Sequence, residues 1–145
     1  MTPLIFLDID GVLNTIHSLA LFKPVEFHPP CVAYLNQLIN LSGAEIVVSS
    51  TWRLGQTVES MQAILSTNGV VGRVVGVTPD CNGAERWVEV QEYLEQLPDC
   101  HPFVILDDNV DFIGRYRDRL VHTSFAEGLT ASDVLKALAI LKSQA

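Results

Sequence analysis

Three short clusters of oxygen-bearing side chains carry the chemistry that this chain can do: Asp8-Ile9-Asp10-Gly11, Ser49-Ser50-Thr51 and Asp107-Asp108. Each follows an apolar run, "LIFL", "EIVV" and "FVIL". Two carboxylates two residues apart at a strand end repel each other and resist burial, so they need a counter-charge. A hard divalent cation supplies one. Magnesium prefers oxygen ligands, keeps several waters and needs only one or two carboxylates beside a substrate phosphate. Asp8, Asp107 and Asp108 can provide those ligands. The cation would also neutralise a phosphoryl group and let an anionic nucleophile approach it. An Asp carboxylate can be that nucleophile, through an aspartyl-phosphate. A second carboxyl two residues later can protonate the leaving group and then deprotonate water. Gly11 lets the backbone turn away tightly and approach a phosphate.

The elements that must position these residues alternate. The apolar runs predict strands at Leu4–Ile9, Glu45–Ser49, Val70–Val77 with a bend near Gly72, Phe103–Leu106 and Leu120–His122. Helical spacing marks Cys31–Leu41, Val58–Leu65, Glu85–Leu97 and Thr130–Lys142. Gly43 and Pro98 act as stops, and "TASD" resembles a capping box. Residues 14–30 are irregular, punctuated by Pro24, Pro29 and Pro30. Strands alternating with helices imply a parallel sheet covered on both faces. The expected fold is α/β, a three-layer, Rossmann-like doubly wound parallel sheet with strand order 5-4-1-2-3. Ligands of such sheets sit beyond the carboxyl ends of the strands, where strand order reverses. All three polar clusters fall there.

Composition sets the outer bounds. At 145 residues and 48% apolar content, the expectation is one domain, 1–145, with a single core. No apolar run has the length of a membrane span, and no basic region precedes the first one. Cys31, Cys81 and Cys100 form no C-x-x-C pair, which suggests reduced thiols in the cytoplasm. A net charge of −8 opposes broad nonspecific attraction to nucleic acid.

"DIDGVL", followed by "VVSSTWR" and "VILDDNVD", resembles the haloacid dehalogenase-like (HAD) hydrolase superfamily over nearly the whole chain. The longer pattern "LDIDGVLN … SSTWR … VILDDN" is similar to HAD domains of predicted RNA-repair proteins. The resemblance implies a magnesium-dependent phosphatase. Asp8 would be nucleophile and metal ligand. Asp10 would be the general acid/base, with its backbone carbonyl also on the metal. Ser49 would hydrogen-bond the phosphoryl oxygens, with Ser50 as the fallback. Asp107 would hold the metal, Asp108 would help directly or through water, and Asp111 fits a looser second acidic position. The family's third motif is usually Lys. No Lys precedes strand four in the helical stretch, and Arg86 in "ERWVEVQEYL" takes the place. Arg neutralises charge as a planar fork where Lys is a compact point. No segment is long enough for a cap domain, so the resemblance implies an open site. Such a site suits large substrates, such as nucleic-acid ends or phosphoproteins, and the expected partner is a phosphorylated substrate, either a small molecule or a nucleic-acid end.

Plainer readings stand beside these. Asp8 and Asp10 would also suit a turn, though that leaves Asp107 and Asp108 unexplained. Ser49 to Thr51 would also cap a helix. Trp52 and Arg53 either contact a phosphate or base, or pack a helix start. Arg86 would also suit a helix surface. Arg115, Arg117 and Arg119 read as a solvated edge more than as a nucleic-acid patch. His17, His28, His101 and His122 have no ligand spacing. Two binding-module readings compete with the enzyme: an inactive HAD-like fold, and a receiver-like phospho-acceptor domain. A receiver carries adjacent acids after strand one and a Lys after strand five, whereas this chain has D-x-D and Val121-His122-Thr123.

Overall fold

The structure is a computed structural model, which describes residues 1–16, 26–109 and 115–145. His17, Lys23, Pro24 and Asp111 lie outside the described residues. Five parallel strands form one sheet: β1 (Leu4–Leu7), β2 (Glu45–Val48), β3 (Val74–Val77), β4 (Phe103–Asp107) and β5 (Leu120–His122). Their order is β3-β2-β1-β4-β5, the expected order seen from the other edge. Helices α1 (Pro29–Ser42), α2 (Val58–Thr67), α3 (Arg86–Glu95) and α4 (Ala131–Lys142) flank the sheet.

Alternation along the strands divides the core in two. Ile5, Leu7, Ile46, Val48, Val104 and Leu106 pack with Leu35, Leu38, Met61, Leu65, Val134 and Ala137, so α1, α2 and α4 cover one face. Leu4, Phe6, Val47, Phe103 and Ile105 pack with Val90, Tyr93 and Leu94 of α3 on the other. Each fully buried aliphatic or aromatic side chain contributes about 1.5–3 kcal/mol. This arrangement is the three-layer α/β sandwich that the sequence pattern predicts.

Several boundaries differ from the expectation. α1 begins at Pro29, two residues early, because Pro29 and Pro30 fill first-turn positions that need no intrahelical N–H. It ends at Gly43, whose φ of 70° gives the left-handed cap. β1 and β2 are shorter than expected, Asp8 and Ser49 lying just beyond them. β4 extends one residue further, to Asp107. α3 runs from Arg86 to Glu95, inside the expected span.

The largest difference is at β3, which starts at Val74 instead of Val70. Side chains of neighbouring helices take the backbone that a strand partner would have taken. Asn36 accepts from the Val71 N–H (2.9 Å) and donates to the Gly69 carbonyl (2.9 Å). Gln62 accepts from the Val74 N–H (2.7 Å) and donates to the Gly72 carbonyl (3.1 Å). The capping box at α4 forms as expected, with Thr130 accepting from the Asp133 N–H and Asp133 accepting from the Thr130 N–H.

The arginines near β5 brace an edge. Arg115 lies over the rings of Trp87 and Tyr116, and Arg119 lies over Phe103 at 4.8 Å. Among the described residues, no helix is long and apolar enough to cross a membrane.

Candidate active site

The strand register sets the site. Leu7 is level with Val48 and Leu106, so Asp8, Ser49 and Asp107 come next in three adjacent strands. Backbone bonds carry the ladders one step further: Asp8 N–H to Leu106 O (3.0 Å), Ser49 N–H to Leu7 O (2.9 Å) and Thr78 N–H to Val48 O (3.0 Å). By alternation, Asp8, Ser49 and Asp107 fall on the face covered by α3. All three are buried, and so is Thr78. A row of strand-end oxygens thus lies under the first turn of α3.

Arg86, the first residue of α3, reaches into that row. Its Nη1 lies 3.1 Å from Asp8 Oδ1 and 3.0 Å from Asp107 Oδ2. A cation at a helix N-terminus opposes the helix dipole. The two carboxylates offset that cost, which is why the chain places Arg where local helix rules disfavour it. The remaining carboxylate contacts are short-range. Asp8 Oδ1 also accepts from the Ile9 N–H (2.9 Å), and Asp107 Oδ1 accepts from the Asn109 N–H (2.9 Å).

Oxygens of Asp8, Asp107 and Asp108 lie within 4.8 Å of one another. Three carboxylates facing one guanidinium leave two negative charges uncompensated. Their electrostatics record the strain. Burial, with the charge of Asp107 adding to it, lifts the Asp8 carboxyl from 3.8 to about 7 against the pull of Arg86. Burial also lifts Asp108 to about 6, aided by its hydrogen bond with Asp8 and by the Asp8 charge. Asp107 moves up as well, through burial, with Arg86 and the Asn109 amide opposing. A hard divalent cation fits this donor set in charge, ligand type and spacing.

The raised values set a sign for pH dependence. Between the usual carboxylate range and about pH 7, the folded chain holds more protons than the unfolded one. Stability is therefore full below an Asp's ordinary pKa and is lost as pH rises through the folded values. For Asp8 alone the loss is on the order of 2–4 kcal/mol. Chelator-treated protein should melt several degrees higher near about pH 5 than near about pH 8, and magnesium should recover the loss at the higher pH. A melting temperature that is flat or rises over that interval would show that the acids are not compressed.

Gly11 follows the second aspartate with φ +83°, and a Cβ there would lie 2.2 Å from Asp108 Oδ2 and 2.8 Å from Asp108 Cβ. The turn so formed is pinned by Thr123, whose Oγ1 donates to the Gly11 carbonyl (2.6 Å) while its N–H donates to Asp107 O (3.0 Å). Gly11→Ala should cost about 1–2 kcal/mol from the left-handed backbone alone. It should also displace Asp108 and shrink the melting-temperature gain on adding magnesium; an undiminished gain would free Asp108 of any part in holding a cation.

Asp10 stands apart from the acidic cluster. Its Oδ1 accepts from Asn14 Nδ2 (3.2 Å) and its Oδ2 from Trp52 Nε1 (3.1 Å). Ser49 Oγ and Thr78 Oγ1 are buried, and neither has a hydrogen-bond partner among the described residues. Ser50 Oγ accepts from the Trp52 N–H (3.2 Å) and caps the 3-10 turn Thr51–Arg53. The Arg53 guanidinium is committed: Nε donates to Thr78 O (2.8 Å), Nη1 to Ser50 O (3.0 Å), and Nη2 to Pro79 O (3.2 Å) and Glu89 Oε2 (2.7 Å). It therefore ties the strand ends of β2 and β3 to α3. Thr51 is exposed on a cavity of about 200 Å³ that Arg53, Asp80, Arg86, Glu89 and Asn109 also line. Arg86 thus touches both the acidic cluster and this cavity.

The register brings Asp8, Ser49, Asp107 and Arg86 together, with Asp108 joining through Asp8 and Gly11 packing beside it. Sequence reading passed over four contributors: Thr78, Glu89, Asn14 and Thr123. Thr78 and Thr123 had a usable signal, since each follows an apolar strand as Ser49 does. Glu89 and Asn14 had none, because their partners are set only by tertiary contact. His122, one of the histidines without ligand spacing, pairs its Nε2 with the Asp108 carbonyl (2.9 Å).

No curated protein and no solved structure matches the chain. A family model described as the HAD domain in Swiss Army Knife RNA repair proteins matches residues 4–134, from β1 into α4. With that match spanning the sheet and every strand end described above, the chain belongs to this HAD family, within a superfamily of phosphatase-type hydrolases.

Proposed function

We propose that the chain is a magnesium-dependent phosphomonoesterase acting through an aspartyl-phosphate on Asp8. The observation that carries the reading is the strand-end cluster, in which three carboxylates lie together, two of them on one guanidinium, beside a serine hydroxyl that has no hydrogen-bond partner among the described residues. Asp8 attacks phosphorus, and the ester P–O bond breaks as Asp10 gives its proton to the departing oxygen. Asp10 then takes a proton from the water that attacks the aspartyl-phosphate, releasing phosphate and restoring Asp8. Ser49 and Arg86 hold the phosphoryl oxygens, with Gly11 and Thr51 lining the approach. Asp8, the Asp10 carbonyl, Asp107 and Asp108 would hold magnesium, which supplies charge neutralisation between the acids and the phosphoryl group.

The cavity next to Arg86 takes the alcohol part of the ester. At about 200 Å³ it holds a single sugar-sized ring. A phosphorylated nucleic-acid end or a nucleotide agrees with the family's description, in which the domain occurs in RNA repair proteins. Three free cysteines agree with a cytoplasmic setting.

The test is hydrolysis of an aryl phosphate with and without magnesium, beside Asp8→Asn. Turnover requiring both magnesium and Asp8 supports the reading, and phosphorylated oligonucleotide ends then head the substrate screen. Turnover that persists in Asp8→Asn overturns it.

A further inference from the structure

Asp10 is gripped by two donors that come from different parts of the chain. Asn14 belongs to its own turn, where the Ile9 carbonyl accepts from Val12, Leu13 and Asn14 and the Gly11 N–H donates to the Asn14 carbonyl. Trp52 comes from the neighbouring strand end, beyond β2. Each donor takes a different oxygen, Asn14 Nδ2 on Oδ1 and Trp52 Nε1 on Oδ2. Both donors are themselves fixed. Asn14 is fully buried. The Trp52 backbone is capped by Ser50 Oγ, and its ring meets Phe27 edge-on at 5.6 Å.

We infer that Trp52 and Asn14 are positioning residues for the proton-transfer carboxylate, an inference that rests on the role proposed for Asp10. One donor would leave a carboxylate free to rotate. Two donors from separate elements fix its plane and its direction. The chemistry of the donors suits the task. An indole N–H and an amide NH₂ donate only, so neither competes for the proton that Asp10 must carry. Each carboxylate oxygen also keeps a lone pair beyond the one engaged. Arg86 pairs with Asp8 and Asp107, and among the described residues Asp10 forms no ion pair. When Asp10 gives its proton to the leaving oxygen, the same two donors meet the carboxylate that forms. Holding a reacting group in place in this way removes orientational freedom that the reaction would otherwise have to freeze.

Leaving-group dependence separates positioning from mere packing, because a poor leaving group needs a proton and a good one does not. Trp52→Phe keeps the ring against Phe27 and deletes the N–H. Full-length wild type and Trp52→Phe are compared with magnesium on p-nitrophenyl phosphate and on a primary-alkyl phosphate. The alkyl-to-aryl ratio of kcat/KM, which reports the step in which the leaving group departs and excludes the water step that both esters share, should fall about tenfold or more in the variant. Asn14→Met, which removes the other donor at similar volume, should lower the ratio in the same direction and stands in if Trp52→Phe does not fold. The indole N–H resonance of Trp52, told from that of Trp87 by its loss in Trp52→Phe, should exchange slowly with water and shift in Asp10→Asn. An unchanged ratio, equal losses on both substrates, or an indole resonance indifferent to Asp10→Asn overturns the inference. Failure of the wild type to hydrolyse either ester is a different result: it removes the proposed function itself, and the inference with it.

Discussion

Asp8→Asn should lower phosphatase turnover by about 10⁴-fold or more while leaving the fold standing. The amide is isosteric with the carboxylate but cannot attack phosphorus, so the covalent route closes. The accompanying stability change has the opposite sign. In the metal-free protein near about pH 8, Asp8 is a buried carboxylate lifted to about 7, held beside Asp107 and Asp108. Replacing it with a neutral amide relieves that repulsion. The variant should therefore melt no lower than wild type in chelator, and should gain less from magnesium. Thermal melts in chelator and in magnesium check both halves beside the activity assay. Lost activity with a large drop in melting temperature would instead assign Asp8 a mainly structural part.

Arg86 carries the second large effect. Its Nη1 supplies the guanidinium contact to both Asp8 and Asp107. Removing one partner of a buried ion pair costs about 3–5 kcal/mol, because the other charge stays buried and unpaired. Arg86→Met should therefore destabilise the metal-free protein near about pH 8 by roughly that amount. Much of the loss should vanish near about pH 5, where the acids can take up protons instead. Turnover should fall by about 10²–10³-fold, the scale on which a preorganised charge at a developing oxyanion acts. Arg86→Lys should retain more activity than Arg86→Met, since an ammonium still supplies the charge but reaches fewer oxygens at once. If Arg86→Met matched wild type in both turnover and pH-dependent melting, the guanidinium would be an ordinary surface charge.

Much of this is legible in the sequence. Apolar runs that end in Asp8, Ser49 and Asp107 located three adjacent strand ends, because a parallel sheet puts its chemistry at that edge. Bringing those clusters together requires strands one, two and four to be neighbours, as β1, β2 and β4 are in the sheet. Arg86 was found only through the family resemblance and the missing Lys; nothing in "ERWVEVQEYL" distinguishes it from a surface cation. Other features depend on partners far away in sequence. Residues 70–73 read as strand from their composition, yet Asn36 and Gln62 supply the hydrogen bonds that a strand neighbour would have made. Trp52 and Arg53 sit side by side and looked like one unit. The fold sends the indole to Asp10 and buries the guanidinium against Thr78, Pro79 and Glu89. No local pattern carries that split, since it is decided by which strand end each side chain faces.

The most direct test of the central claim is to look for the covalent intermediate. Protein mixed with magnesium and excess phosphomonoester is quenched in acid within the first turnovers, and its peptides are mapped by mass spectrometry. One phosphoryl group is expected on the peptide that contains Asp8, absent in Asp8→Asn. Turnover in the same sample with the phosphoryl group on another residue, or on none, would contradict it.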